Sequence, residues 1–207
     1  MPKIKNKEYL KFLETGLINI LTKEEYQKIK RMAGENHHNS IQAKTLVTLL
    51  YYTGRRPSEI LELQSDNFER DRRYLNVKMQ TKKRGRGSYI YLPMNEDIKE
   101  VWEYVKNLPP KFYIIWEFKG SSIKKVNGKE YEVTSYKIEY WIKKWSKLAG
   151  KKLTPYFFRH NRLSELALKG ADMNELMHFK GSKDVSSVIP YLHMSPKKIK
   201  KLARLMQ

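Results

Sequence analysis

Between Tyr74 and Pro93 the hydrophobic period shortens to two. Leu75, Val77 and Met79 alternate with Asn76 and Lys78, and Tyr89-Ile90-Tyr91-Leu92 follows Arg84-Gly85-Arg86-Gly87. Alternation places apolar side chains on one face of a strand, and a glycine-rich break between two such runs predicts a β-hairpin with a basic tip. Everything around this block carries helical spacing. The expected class is therefore α+β, a mainly helical fold with one small antiparallel sheet.

The helix signals are local and physical. Thr22-Lys23-Glu24-Glu25 is a capping box, in which hydroxyl and carboxylate satisfy the first free amides of a helix running to about Gly34. Ser40 opens a second helix with a buried stripe of Leu46, Val47, Leu49 and Leu50, and Gly54 is placed to end it in a left-handed conformation. Pro57 suits the first turn of a short third helix. Asn95 caps a helix whose Ile98, Val101, Trp102 and Val105 share a face, and Pro109-Pro110 stops it. Residues 112–133, with Asn127-Gly128 as a turn, read as a small β insert. A helix from Ser135 to Leu148 buries Ile138, Trp141, Ile142 and Trp145. Further helices are expected over residues 155–169, 172–179 and 184–191, with a last basic one over 196–206.

Lysine and arginine number 42 against 22 acidic residues, a formal charge of +20. That imbalance favours a polyanionic partner, with nucleic acid first among candidates. Cysteine is absent, which excludes disulfides, thiolate metal sites and a cysteine nucleophile. No apolar run approaches the roughly 20 residues of a membrane span, and the N-terminus lacks a secretory core. The expectation is a soluble, cytoplasmic protein.

Two stretches carry chemistry. Thr53-Gly54-Arg55-Arg56-Pro57-Ser58-Glu59-Ile60 sets a guanidinium just past a helix stop, facing outward toward a phosphate, with Glu59 placed to orient it. Pro155-Tyr156-Phe157-Phe158-Arg159-His160 places a second arginine among aromatic residues at a helix start, where partial burial calls for an anionic partner. Gly181-Ser182 and Tyr191-Leu192-His193 come later. In this order the motifs resemble the tyrosine recombinases, the phage integrases and Xer-type resolvases: a Thr-Gly-x-Arg-x-x-Glu turn, a hairpin lysine, a His-x-x-Arg-His segment, a Gly-His or Gly-Trp pair, then a nucleophilic tyrosine. The spacings from Arg159 to Ser182 and from Ser182 to Tyr191 agree with that pattern without a gap.

The resemblance covers about residues 22–195 and implies a catalytic domain there, between a basic lead-in (residues 1–21) and a basic C-terminal tail (residues 196–207). It implies that Arg56 and Arg159 clamp the scissile phosphate in place of metal ions, so that no metal or other cofactor is needed. Lys82 would protonate the leaving 5′-oxygen, with Lys83 as the rival assignment. Tyr191 would form a 3′-phosphotyrosyl link that conserves the phosphodiester energy. Lys83, Arg84, Arg86, Lys180, Ser182 and Lys183 are the expected DNA contacts. The implied partner is double-stranded DNA carrying attachment sites, bound by a tetramer of this chain. A proline directly before the nucleophile, Pro190, is expected to loosen its helix so that Tyr191 swings onto the phosphate.

Three departures from the pattern stand out. Tyr156 replaces the usual histidine three residues before Arg159; a phenol can hydrogen-bond a phosphate oxygen but, with a pKa near 10, is a poor base. His160 could assist, although its usual job in the resemblance is structural support. Ser182 stands where histidine or tryptophan is usual, leaving Lys180 or Lys183 to compensate. Both substitutions are similar to those in integrases of archaeal plasmids and viruses, where a Tyr-x-x-Arg form occurs. Thirdly, family members place a helical DNA-clamping domain before the catalytic one, whereas 21 residues precede the capping box here. The chain is then either a catalytic domain alone or a compact recombinase whose lead-in contacts DNA. Rival readings are topoisomerase-like strand relaxation and a DNA-binding protein that has lost catalysis.

Overall fold

The computed structural model describes residues 21–79, 88–116, 135–182 and 184–191. Its contacts divide the chain into two compact units, residues 22–159 in one and residues 1–21 with 160–207 in the other.

The first unit is built on α1 (Lys23–Glu35) and α2 (Ser40–Thr53). The capping box forms as expected: Thr22 Oγ1 accepts from the Glu25 amide at 3.2 Å and Glu25 Oε2 accepts from the Thr22 amide at 3.0 Å. Helix α2 is capped one residue before Ser40, by Asn39, whose side chain accepts from the Gln42 amide at 3.1 Å. Its residues from Ala43 to Thr53 are almost all buried, so α2 is the central helix of the unit. Gly54 ends it in the left-handed region (φ 57°), where a side chain would be strained. The short α3 (Pro57–Leu61) starts on Pro57 directly afterwards.

The hairpin strands are β2 (Tyr74–Met79) and β3 (Ser88–Pro93), paired antiparallel with Leu75 opposite Leu92 and Val77 opposite Ile90. Leu75, Val77, Met79, Ile90 and Leu92 are buried, while Tyr74, Tyr89 and Tyr91 face solvent. A third strand, β1 (Phe68–Arg70), completes a sheet of order β1-β2-β3. It is too short to register as an alternating run in the sequence. The hairpin tip, with Lys82, Lys83, Arg84 and Arg86, lies outside the described residues, and so do the Asn127-Gly128 turn and most of the expected insert. Of that insert, residues 112–116 contribute one antiparallel bridge, Tyr113 to Gln64, rather than a strand.

Helices α4 (Glu96–Val105), α5 (Ser135–Leu148) and α6 (Pro155–Leu168) follow, and α6 continues into the second unit. All four apolar residues expected to be buried by α5 are buried. Where α1, α2 and α4 meet, the carboxylate of Asp97 gathers Lys30 Nζ at 2.7 Å, Gln27 Nε2 at 3.0 Å and the Tyr52 hydroxyl at 3.0 Å. Burial works against this carboxylate, but the Lys30 and Gln27 hydrogen bonds and the Lys30 charge outweigh it and hold Asp97 below the usual carboxylate range.

In the second unit, α6 supplies Leu163 and Ala167 to a small core completed by Leu176, Val188 and Tyr191. Leu21 joins the unit through its amide, which donates to Asn161 Oδ1 at 2.6 Å. Helix α7 (Met173–Lys180) opens on an Asp172 capping box and closes on left-handed Gly181. Residues 184–191 do not form the single helix expected from sequence. They make two 3-10 turns, Val185–Ser187 and Ile189–Tyr191. Two local causes account for the difference. Asp184 Oδ1 accepts from both the amide and the hydroxyl of Ser186, competing with helical bonding, and Pro190 has no amide to donate. The expected tail helix over 196–206 falls outside the described residues.

Asp97→Asn should lower unfolding stability at pH 7 by about 2 kcal/mol, because it strips charge from a buried hydrogen-bonded acceptor. A carboxylate depressed in the folded state stabilises above its unfolded pKa and loses that contribution as pH falls through the folded value. Urea unfolding followed from pH 7 to pH 3 should therefore show a shallower acid loss in Asp97→Asn than in the wild type.

Candidate active site

The Thr53–Ile60 turn is held from several sides. Thr53 Oγ1 donates to the Leu49 carbonyl at 2.6 Å and accepts from the Arg55 amide at 3.2 Å, which draws the chain tightly around Gly54. Arg56 takes the extended conformation favoured before a proline (φ −69°, ψ 151°) and serves as the cap of α3. Its amide donates to Glu59 Oε2 at 2.7 Å. The backbone geometry thus turns successive arginines in different directions: Arg55 is buried at 2% exposure, and the Arg56 side chain is half exposed. Burial pulls the Arg55 guanidinium below its ordinary pKa, a shift opposed by Glu59 and reinforced by Arg56, yet an arginine stays charged.

Glu59 does more than orient Arg56. One of its oxygens lies 3.7 Å from Arg56 Nη1 and the other 3.8 Å from Arg159 Nη1. Arg159 also donates from Nη1 to the Gly54 carbonyl at 3.1 Å, with 6% of the residue exposed. The two arginines singled out in the sequence therefore share one carboxylate, one guanidinium facing solvent and the other held inside. Tyr156, in the first turn of α6, is exposed.

Tyr191 is buried in the other unit at 3% exposure. Its hydroxyl hydrogen-bonds His160 Nδ1, and the two rings lie 5.7 Å apart between centroids. Lys180 Nζ sits 5.5 Å from the Tyr191 ring centroid and donates to the Ser187 carbonyl. Ser182 is engaged within its own loop, where its hydroxyl accepts from the Asp184 amide at 3.2 Å and from the Ser187 hydroxyl at 3.0 Å. Lys183 lies outside the described residues. Sequence reasoning missed the burial of Arg55, for which the arginine pair carries no signal, and the bond between His160 and Tyr191, which joins positions 31 apart. Among the described residues, no cluster of three or more His, Asp or Glu could hold a metal ion. No helix among them is long and apolar enough to cross a membrane.

A mostly helical fold with one small three-stranded antiparallel sheet is that of the tyrosine recombinase catalytic domains. The catalytic domain of bacteriophage HP1 integrase aligns over 91% of this chain and 95% of its own, with a TM-score of 0.59 at 16% identity. XerH recombinase bound to its difH substrate aligns over 92% of this chain and 55% of its own, with a TM-score of 0.68 at 16% identity. Residues 19–198 match the phage integrase family, and the chain belongs to it. A tyrosine recombinase of Thermosipho africanus is 26% identical over 86% of this chain and 58% of its own length. XerA of Pyrococcus furiosus is 25% identical over 87% of this chain and 59% of its own. The chain thus spans somewhat under three-fifths of these two relatives.

The two arginines should separate in a stability measurement. Arg159→Ala, which empties a buried ion-pair position, should cost about 3 kcal/mol in urea unfolding. Arg56→Ala, at a solvent-exposed pair, should stay within about 0.5 kcal/mol of wild type.

Proposed function

We propose that this chain is the catalytic part of a site-specific DNA recombinase, an integrase of a mobile element, that cuts and rejoins one strand at a time through Tyr191. The observation that carries the reading is the shared carboxylate of Glu59, which presents Arg56 and Arg159 as a fixed pair. Family membership and the DNA-bound relative XerH support it.

In this mechanism the two guanidiniums bind the non-bridging oxygens of one phosphodiester. The pentacoordinate transition state carries extra negative charge on those oxygens, so preformed donors lower the barrier more than they strengthen substrate binding. Tyr191 attacks phosphorus and displaces the 5′-oxygen, which Lys82 protonates. The phosphotyrosyl ester retains the energy of the broken bond, so rejoining consumes no nucleotide. Tyr156 donates a hydrogen bond to the same phosphate. Lys83, Arg84 and Arg86 of the hairpin tip grip the flanking backbone, as do Lys180, Ser182 and Lys183. The enzyme acts in the cytoplasm on double-stranded attachment sites, as a tetramer assembled on DNA.

The direct test incubates the protein with labelled duplex DNA that carries candidate sites and a nick beside the scissile phosphate, so that the short leaving strand diffuses away. Wild type should give a protein-linked strand that survives denaturation, and Tyr191→Phe none. An adduct undiminished in Tyr191→Phe, or none from wild type on any such substrate, would refute the proposal. Binding should weaken steeply with salt, with log K falling by ~0.9 per phosphate contacted for each decade of salt. A titration by fluorescence anisotropy between low and physiological salt measures that slope.

A further inference from the structure

Attack by Tyr191 requires its phenolic proton to leave, and at neutral pH a phenol with an ordinary pKa near 10 needs a base to take it. Tyr156, at the position of the usual histidine, is itself a phenol and cannot serve. His160 already touches the reacting atom, since its Nδ1 is hydrogen-bonded to the Tyr191 hydroxyl. We propose that His160 is the general base of strand cleavage, taking the proton of Tyr191 through Nδ1 and returning it at ligation. The inference rests on the recombinase reading above.

The surroundings suit that role. His160 lies within α6, where its carbonyl accepts from the Ser164 hydroxyl at 2.8 Å, and the next residue, Asn161, is fully buried and bonded to the Leu21 amide. The imidazole is therefore carried on a fixed turn. Lys180, 5.5 Å from the tyrosine ring centroid, adds positive charge that favours the developing phenolate. The other charged residues nearby along α6 are Arg159, and Arg162, which is paired with Glu165 at 2.8 Å.

The proton balance closes. The neutral imidazole, protonated on Nε2, accepts from the tyrosine hydroxyl as the bond from oxygen to phosphorus forms. The bond from phosphorus to the 5′-oxygen breaks, and that oxygen takes its proton from Lys82. In rejoining, the imidazolium gives its proton back to the departing tyrosine oxygen while the 5′-hydroxyl returns its own to Lys82.

The test is single-turnover cleavage of the nicked substrate by wild type and by His160→Asn, whose amide oxygen can replace Nδ1 as an acceptor but cannot hold a proton at neutral pH. His160→Asn should bind DNA and unfold as wild type does yet cleave about 100-fold more slowly at pH 7. The deficit should shrink toward pH 9.5 as the phenol ionises unaided. The wild-type rate should rise through an imidazole titration between about pH 5 and 8, a readout that stands even where the variant does not fold. On DNA with a 5′-bridging sulfur, a leaving group that needs no proton, Lys82→Ala should recover and His160→Asn should not.

Four results would each overturn the assignment: a His160→Asn rate within about threefold of wild type, a deficit independent of pH, recovery of that variant on the sulfur substrate, or a flat wild-type profile across the imidazole range. Failure of the recombinase reading itself would be seen separately, as wild type forming no adduct on the unmodified substrate.

Discussion

The guanidinium of Arg159 cannot be taken out of water without compensation, because an unpaired buried charge costs several kcal/mol. The Gly54 carbonyl and Glu59 both compensate it. Both partners exist because of one backbone event, the left-handed turn at Gly54 that ends α2, aims its own carbonyl at Arg159, and lets Pro57 start α3 with Glu59 in its first turn. A side chain at residue 54, or a longer α2, would move the carbonyl and the carboxylate together. The arginine pair is therefore a property of a helix terminus, and the remaining framework of the first unit serves to keep that terminus still.

That framework is held by polar as well as apolar contacts. Helix α2 is buried along most of its length, and a helix without a solvent face is poorly fixed in rotation by hydrophobic contact alone. Asp97 supplies directional bonds to Gln27 and Lys30 of α1 and to Tyr52 of α2. The three helices are thereby set in register. In the second unit the analogous anchor is Tyr191, whose ring completes a small core while its hydroxyl is bound to His160.

Signals confined to a few neighbouring residues were legible in the sequence. The Thr22 capping box, the Gly54 stop, the bounds of α5 and the alternation of β2 and β3 all express local stereochemistry, and each is found where the sequence places it. The features that escaped are those decided by distant partners or by competition. Strand β1 exists because β2 offers an edge to it. Asp97 looks like an ordinary first-turn acid until Lys30 is brought to it across 67 positions. Residues 184–191 contain enough apolar side chains to suggest a helix, but Asp184 and Ser186 bind each other and the backbone instead. At the candidate site, motif order singled out Arg56, Arg159 and Tyr191 as candidates, while the sharing of Glu59 between the arginines and the partner of His160 required coordinates.

In the proposed mechanism Arg56 and Arg159 act on the charge of a single phosphate. That role is tested most directly by replacing that phosphate with a neutral methylphosphonate and comparing single-turnover cleavage by wild type, Arg56→Ala and Arg159→Ala. Each variant, slowed by about 100-fold on ordinary DNA, should come close to wild type on the neutral linkage, where no equatorial oxygen charge needs balancing. Equal losses on the two substrates would contradict it.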